Sequence, residues 1–316
     1  MKKRFVIGCW LLFGLIGCRA LAQSAETEGG ASVLVYNLYT SNSTMPFSED
    51  TRLALTNASD SASVAVHLFF VAKDCKVADQ FVALTASQTL TMLASDVDPG
   101  VRGYVIAVAI NARTGCPINF IYLIGEAGIR LMSGHRAVLA AEGIQALRDN
   151  PTDCSDTAAA AELKFDGVRY GVLPRVLAAD SFTSIYDGNQ SWLIINCVSG
   201  DLREGAATTG TLFGLLYDDA ESAYSFSLTG GCQVAGNIFG STFPRHNFLP
   251  QAVPQGRTGW AKFYNNVRPA PLLGAVLNLN MSEREMPHAF NGGHNMHHLT
   301  STDTGTLTIP VSPPNG

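Results

Sequence analysis

The stretch Gly100–Ile110 constrains this chain more than any other. Two glycines, Gly100 and Gly103, precede Tyr104 and an unbroken apolar run to Ile110. In an extended chain Tyr104, Ile106, Val108 and Ile110 fall on one face and Val105, Ala107 and Ala109 on the other, so both faces need cover. That is the pattern of a central strand. The same Gly-x-x-Gly-aromatic turn returns at Gly256, Gly259 and Trp260, with a second apolar run at Leu272–Leu277.

Short runs of β character surround the first copy: Val33–Tyr39, Leu53–Leu55, Val64–Phe70, Phe81–Leu84 and Leu90–Leu93. Turn residues such as Asn57-Ala58-Ser59-Asp60 and Asp98-Pro99-Gly100 separate them. After residue 166 the order recurs in Val172-Leu173, Ser191–Asn196, Leu212–Tyr217 and Tyr224–Leu228, which predicts a duplicated unit. The expected fold is all-β, two tandem immunoglobulin-like β-sandwich domains over 31–132 and 166–312. The likeness is architectural, since the Cys…Trp…Cys signature is missing. A connector over 133–165 joins them. Ser133 as a cap, the spacing of Val138, Ala141, Ile144 and Leu147, and the stop at Asn150-Pro151 predict a short helix there, followed by an Ala-rich acidic linker.

The first residues read as an export signal: basic Lys2-Lys3-Arg4, apolar Phe5–Ile16, then small residues. Cleavage after Ala22 removes 1–22. A lipobox, Leu15-Ile16-Gly17-Cys18, competes with it and would remove 1–17 and acylate Cys18, the one expected link to a membrane. Loss of 1–22 removes four basic residues and no acidic ones, so 21 against 26 becomes 17 against 26, a net charge of −9. Such a chain is repelled by nucleic acid and by anionic lipid. The expected location is the periplasm, the outer surface or the extracellular space. Five cysteines remain, Cys75, Cys116, Cys154, Cys197 and Cys232, without a Cys-x-x-Cys pair. An oxidising compartment favours disulfides. Proximity within each repeat pairs Cys75 with Cys116 and Cys197 with Cys232, leaving Cys154 over.

Chemistry-bearing residues are sparse. His288, His294, His297 and His298 crowd one Gly-rich stretch and could hold copper or zinc, with Met296 as a soft ligand; the plain alternative is a solvated loop. Asp96 with Asp98, and Asp218-Asp219 with Glu221, offer oxygens for calcium or simply make turns. A Gly-x-Ser-x-Gly elbow, a His-Glu-x-x-His helix, a Walker loop and a dinucleotide fingerprint are all missing, so no catalytic residue and no organic cofactor is assigned. Trp192, Trp260 and Tyr264, or Tyr36 and Tyr39, could form a platform for a sugar ring or a protein, or pack in the core. The sequence therefore points to an exported, non-enzymatic protein with a structural, adhesive or ligand-binding role toward a protein or glycan partner. A metal-binding protein and a glycan-processing enzyme with two distant carboxylates are the alternatives.

Overall fold

The computed structural model describes residues 29–238, 252–280 and 291–314. In chain order the first repeat lays down β1 (Val33–Thr40), β2 (Asp50–Asn57), β3 (Val64–Ala72), β4 (Val77–Leu84), β5 (Thr89–Leu93), β6 (Arg102–Ile110), β7 (Leu123–Arg130), β8 (Arg136–Ala140) and β9 (Glu142–Ile144). β10 (Ala160–Phe165) leads into β11 (Leu173–Thr183), β12 (Asn189–Cys197), and the two-residue strands β13 (Gly200–Asp201) and β14 (Gly205–Ala206). Then come β15 (Gly210–Asp218), β16 (Ala223–Gly230), β17 (Gln233–Asn237), β18 (Thr258–Asn265) and β19 (Leu272–Asn280). β20 (Gly292–Asn295), β21 (His297–Thr302) and β22 (Gly305–Pro310) close the chain.

These strands make five small sheets. The order β4-β3-β6-β1-β9 recurs as β16-β15-β18-β11-β21, and β5-β2-β7-β8 recurs as β17-β12-β19-β20. The fifth sheet is β10-β22-β13-β14. β1 and β11 carry their bulge at the same place, between Tyr36 and Tyr39 and between Ala179 and Phe182. Cross-strand register makes Val33 equivalent to Val176, since they face Val108 and Tyr264 on β6 and β18. The repeat is thus four residues out of step with the alignment of Val33-Leu34 on Val172-Leu173.

The two glycines of the repeated turn do different jobs in both copies. Gly100 and Gly256 adopt positive φ, 81° and 72°, where a side chain is strained. A Cβ on Gly103 would lie 1.9 Å from the Val71 carbonyl oxygen, and one on Gly259 would lie 2.7 Å from that of Tyr217. Close approach of β6 to β3 and of β18 to β15 therefore excludes every other residue.

Two tandem immunoglobulin-like sandwiches joined by a helix are not what the chain forms. Among the described elements the only helical pieces are two three-residue 3₁₀ turns. The segment expected to be a helix is β8 and β9. Ala137 and Leu139 are buried while Arg136, Val138 and Ala140 are exposed, a period of two that pairing with β7 selects. The expected linker supplies β10, which pairs with β22. Five sheets match the blade count of a five-bladed propeller, but strand order within the sheets is interleaved and their cores are shared. The core between the two sheets of the first repeat takes in Ile194, Ala275, Leu277 and Leu279 from the second. A second core joins the outer face of β3, β6 and β1 to Leu163, Phe165, Leu307 and Ile309 of the fifth sheet. The third lies within the second repeat, around Leu193, Leu216 and Phe263.

The disulfides also differ from expectation. Cys75 bonds Cys232, tying the β3–β4 turn to the β16–β17 turn of the other repeat, and Cys116 bonds Cys154. Cys197 stays a buried thiol. Burial pushes that thiol up from its ordinary value, with Ser199 and Arg268 opposing. Two disulfides fit an oxidising, exported setting. The expected signal and Cys18 lie outside the described residues. Among those described, no helix is long and apolar enough to cross a membrane.

Peptide mapping under non-reducing conditions should return Cys75–Cys232 and Cys116–Cys154, with Cys197 alkylated only after unfolding. Reducing the bond that spans 157 residues should lower stability by about 2–5 kcal/mol in urea titration. His67 provides a pH test. It is buried between Phe69 and Phe81, with Nε2 2.8 Å from Asp79. Desolvation lowers its pKa, and the Asp79 hydrogen bond only partly opposes this. The unfolded chain then takes up the proton first, so stability is lost as pH falls through about 6.5. His67→Phe should shrink the drop in Tm between about pH 7.5 and pH 5.5.

Candidate binding site between the repeats

Arg102 opens β6 and Glu49 precedes β2, and the close β1–β6 pairing sets them side by side. The Arg102 guanidinium donates to Glu49 Oε1 at 3.1 Å, and the same oxygen accepts from the Thr40 hydroxyl at 2.6 Å. Arg102 Cζ stands 5.5 Å from the ring centre of Trp192, contributed by β12 of the second repeat. A cation held over an indole and also paired with a carboxylate is restrained by two interactions, the ring face and the ion pair.

Open volume lies on both sides of this clamp. A cavity of about 720 Å³ is lined by Ser41–Ser43, the Lys73–Lys76 turn, Asp98 and, from the second repeat, Gln233 and Ala235. A smaller one of about 270 Å³ lies among Leu131, Met132, His135, Gln190, Trp192 and Leu279. Glu49 and Arg102 wall both. Several polar groups in the larger cavity are already paired, whereas the buried Gln233 Oε1 has no hydrogen-bond partner among the described residues. The Tyr39 hydroxyl donates to Asp98 at 2.5 Å, and burial with that carboxylate drives the phenol far above its ordinary range, so it remains a neutral donor. Asp74 is held below the usual carboxylate range by its hydrogen bond to Lys76. Ser41 Oγ donates to the Asp98 carbonyl at 2.7 Å and accepts from Gly100 N, so it is tied to the turn. Ser133 Oγ lies 2.9 Å from His135 Nδ1 in an exposed turn. No described contact gives that imidazole a carboxylate, so the pair lacks the orienting third group of a nucleophilic site.

A buried polar network braces the seam beneath the cleft. His298 Nε2 meets Glu142 Oε2 at 2.7 Å, with both side chains nearly excluded from water. Asn37 donates to the other oxygen of Glu142 and lies 3.1 Å from Asn295 Oδ1. Asn196 donates to Asn37 Oδ1 at 3.0 Å, and Gln233 donates to Asn196 at 2.8 Å. The bulge of β1 places Asn37 where both repeats can reach it.

The histidines expected to share a metal diverge. His298 points inward to Glu142, while His294 and His297 approach Asp180 at 3.8 and 3.5 Å on the outer side. Met296 is buried in the third core. His288 lies outside the described residues. Among the described residues no group of three or more His, Cys, Asp or Glu side chains is arranged to hold a metal ion. The acidic turns serve the backbone: Asp218 Oδ1 accepts from Ala220 N and Ser222 N, and Asp219 pairs with Arg257. Tyr36 and Tyr39 are core residues, whereas Trp260 is exposed on a sheet face. Arg102 sat inside the stretch that organises the sequence. Only strand register brings it to Glu49 and Trp192, which nothing local signals.

No family model matches the chain, and no curated protein matches it. Among solved structures, Thermotoga maritima 1070 is 13% identical with a TM-score of 0.28, covering 36% of this chain and 93% of that one. A mutant of Bacillus subtilis oxalate decarboxylase is 6% identical with a TM-score of 0.20, covering 80% of this chain and 69% of the other. Likenesses at this level carry no functional argument.

Removing Glu142 strands a buried imidazole and Asn37 together. Glu142→Ala should cost about 3–5 kcal/mol in urea titration, and the exposed Asp180→Ala less than about 1 kcal/mol.

Proposed function

We propose that this is an exported, non-enzymatic binding protein that holds a small polar ligand in the cleft between its repeats. The Arg102 clamp between Glu49 and Trp192, with open volume on both sides, is the observation that carries the reading. The larger volume falls in the range of small-molecule sites, about 300–1,000 Å³. The ring of Trp192 offers an apolar face, and the paired charges around it offer donors and acceptors without a net field, which suits a neutral or zwitterionic ligand such as a sugar or a short peptide. A rigid all-β scaffold with a cross-repeat disulfide keeps the two walls in register, so little ordering cost falls on binding.

The test is a screen of mono- and disaccharides, amino acids and short peptides by thermal shift and calorimetry. At least one should bind saturably, with a tryptophan emission change that disappears in Trp192→Phe and affinity at least tenfold weaker in Arg102→Gln. Binding that ignores both variants, or turnover of a bound compound, overturns the proposal.

A further inference from the structure

The repeat allows each face of one half to be compared with its counterpart in the other. In the first repeat the outer face of β3 and β6 carries Phe69, Val71, Tyr104 and Ile106, all buried beneath the fifth sheet. Register matches Val71–Tyr104 to Tyr217–Trp260, and Phe69–Ile106 to Leu215–Lys262. In the second repeat no described sheet covers this face, and Trp260 is 39% exposed. The residues have changed with the exposure. Valine and isoleucine have given way to tyrosine and lysine, side chains with an apolar body and a polar tip.

We propose that this outer face of β15 and β18 is a second binding site, separate from the cleft, on which a neutral glycan chain stacks. Tyr217 and Trp260 lie nearly parallel, with ring centres 4.8 Å apart and an interplanar angle of 15°. Phe213 and Tyr264 form a second pair at 5.6 Å. Trp260 and Tyr264 are four residues apart on one strand, so the two pairs are spaced by about 13 Å. Lys262 stands between them, its Nζ 5.9 Å from the Tyr217 ring centre. Ser225, Ser227 and Thr229 border the face from β16, opposite Leu215, Phe213 and Thr211.

Charge decides the occupant. A dry protein partner, a second copy included, would bury the Lys262 ammonium; the outward positions of β15, β16 and β18 include no carboxylate to receive it, and Asp180 on the neighbouring β11 already lies 3.8 and 3.5 Å from His294 and His297. A glycan leaves the ammonium hydrated and gives it hydroxyls to bond. Its C–H faces lie on the rings, and its rim hydroxyls meet serine and threonine. Exposed aromatic area of this kind on a stable sheet marks a place where something docks.

Affinity electrophoresis and calorimetry with soluble β-glucan, xylan and galactomannan test the proposal. At least one polysaccharide should retard the protein and shield tryptophan emission from acrylamide. Trp260→Ala and Tyr217→Ala should each weaken binding at least tenfold, while Val138→Ala, an exposed position on β8, should not. Far-UV circular dichroism verifies that the variants fold, and the shielding of the unaltered protein stands without them. Absence of retardation by all three polysaccharides, binding that survives both aromatic variants, or concentration-dependent self-association abolished by Trp260→Ala would each overturn it. Retardation and shielding are read in Trp192→Phe as well, where the cleft reporter is gone, so this face and the cleft succeed or fail separately.

Discussion

The seam between the repeats depends on one buried hydrogen-bonded contact, Glu142 with His298. Glu142 ends the first repeat and His298 lies near the end of the second, and neither has water to fall back on. A carboxylate buried alone is expensive, and here both of its oxygens are occupied, one by His298 and the other by Asn37. Asn37 in turn is held by Asn196, and Asn196 by Gln233, so the chain of bonds crosses the seam more than once. Hydrophobic burial would press the halves together in many registers, because apolar contact is non-directional. The polar network accepts one register only. The Cys75–Cys232 bond pins the same arrangement from the other side. With the register fixed, Arg102 of one half stands over Trp192 of the other, and the cleft acquires its walls.

What the sequence reveals and what it hides divides along the range of the interactions involved. The Gly-x-x-Gly-aromatic turn is legible because its causes are local to two neighbouring strands: a left-handed backbone at Gly100 and Gly256, and a steric contact at Gly103 and Gly259. The doubly buried run from Tyr104 to Ile110 reads correctly for the same reason. The segment around Val138 does not. Val138, Ala141 and Ile144 satisfy a helical spacing, and Ala137, Leu139 and Ala141 satisfy an extended one; only the free edges of β7 and β1 choose between them. Gly143 sharpens the choice, since a Cβ there would crowd Ala31.

Cysteine pairing fails as an inference from proximity for a related reason. Cys75 sits in the β3–β4 turn of one repeat and Cys232 in the β16–β17 turn of the other, positions that are not counterparts, so each looks as if it should find a partner within its own half. The halves instead present those turns to each other. Shared cores are invisible on the same grounds: nothing in Ile194 or Leu277 says that it packs with the first repeat rather than its own. The histidines illustrate the opposite error, a compositional cluster scattered by strand alternation, in which His297 and His298 must face opposite sides of β21.

Duplication explains why binding surfaces arise where they do. Two copies of one strand order begin with the same faces, and each face must be covered, or must become compatible with water. Among the described residues the fifth sheet, assembled from β10, β13, β14 and β22, covers the first repeat's outer face. The counterpart face keeps the pairing register of its covered equivalent, and its partly exposed side chains have become aromatic and amphipathic. It thus combines ring area with exposure, which rarely coincide, because exposed sheet faces are ordinarily polar and apolar ones are ordinarily buried. Preorganised ring area, presented without a loop to order, lets weak stacking contacts add up along a repeating ligand. The cleft lies where the β3–β4 turn and the start of β6 in one repeat meet β12 and β17 of the other, with Gln233 shared between its wall and the polar network.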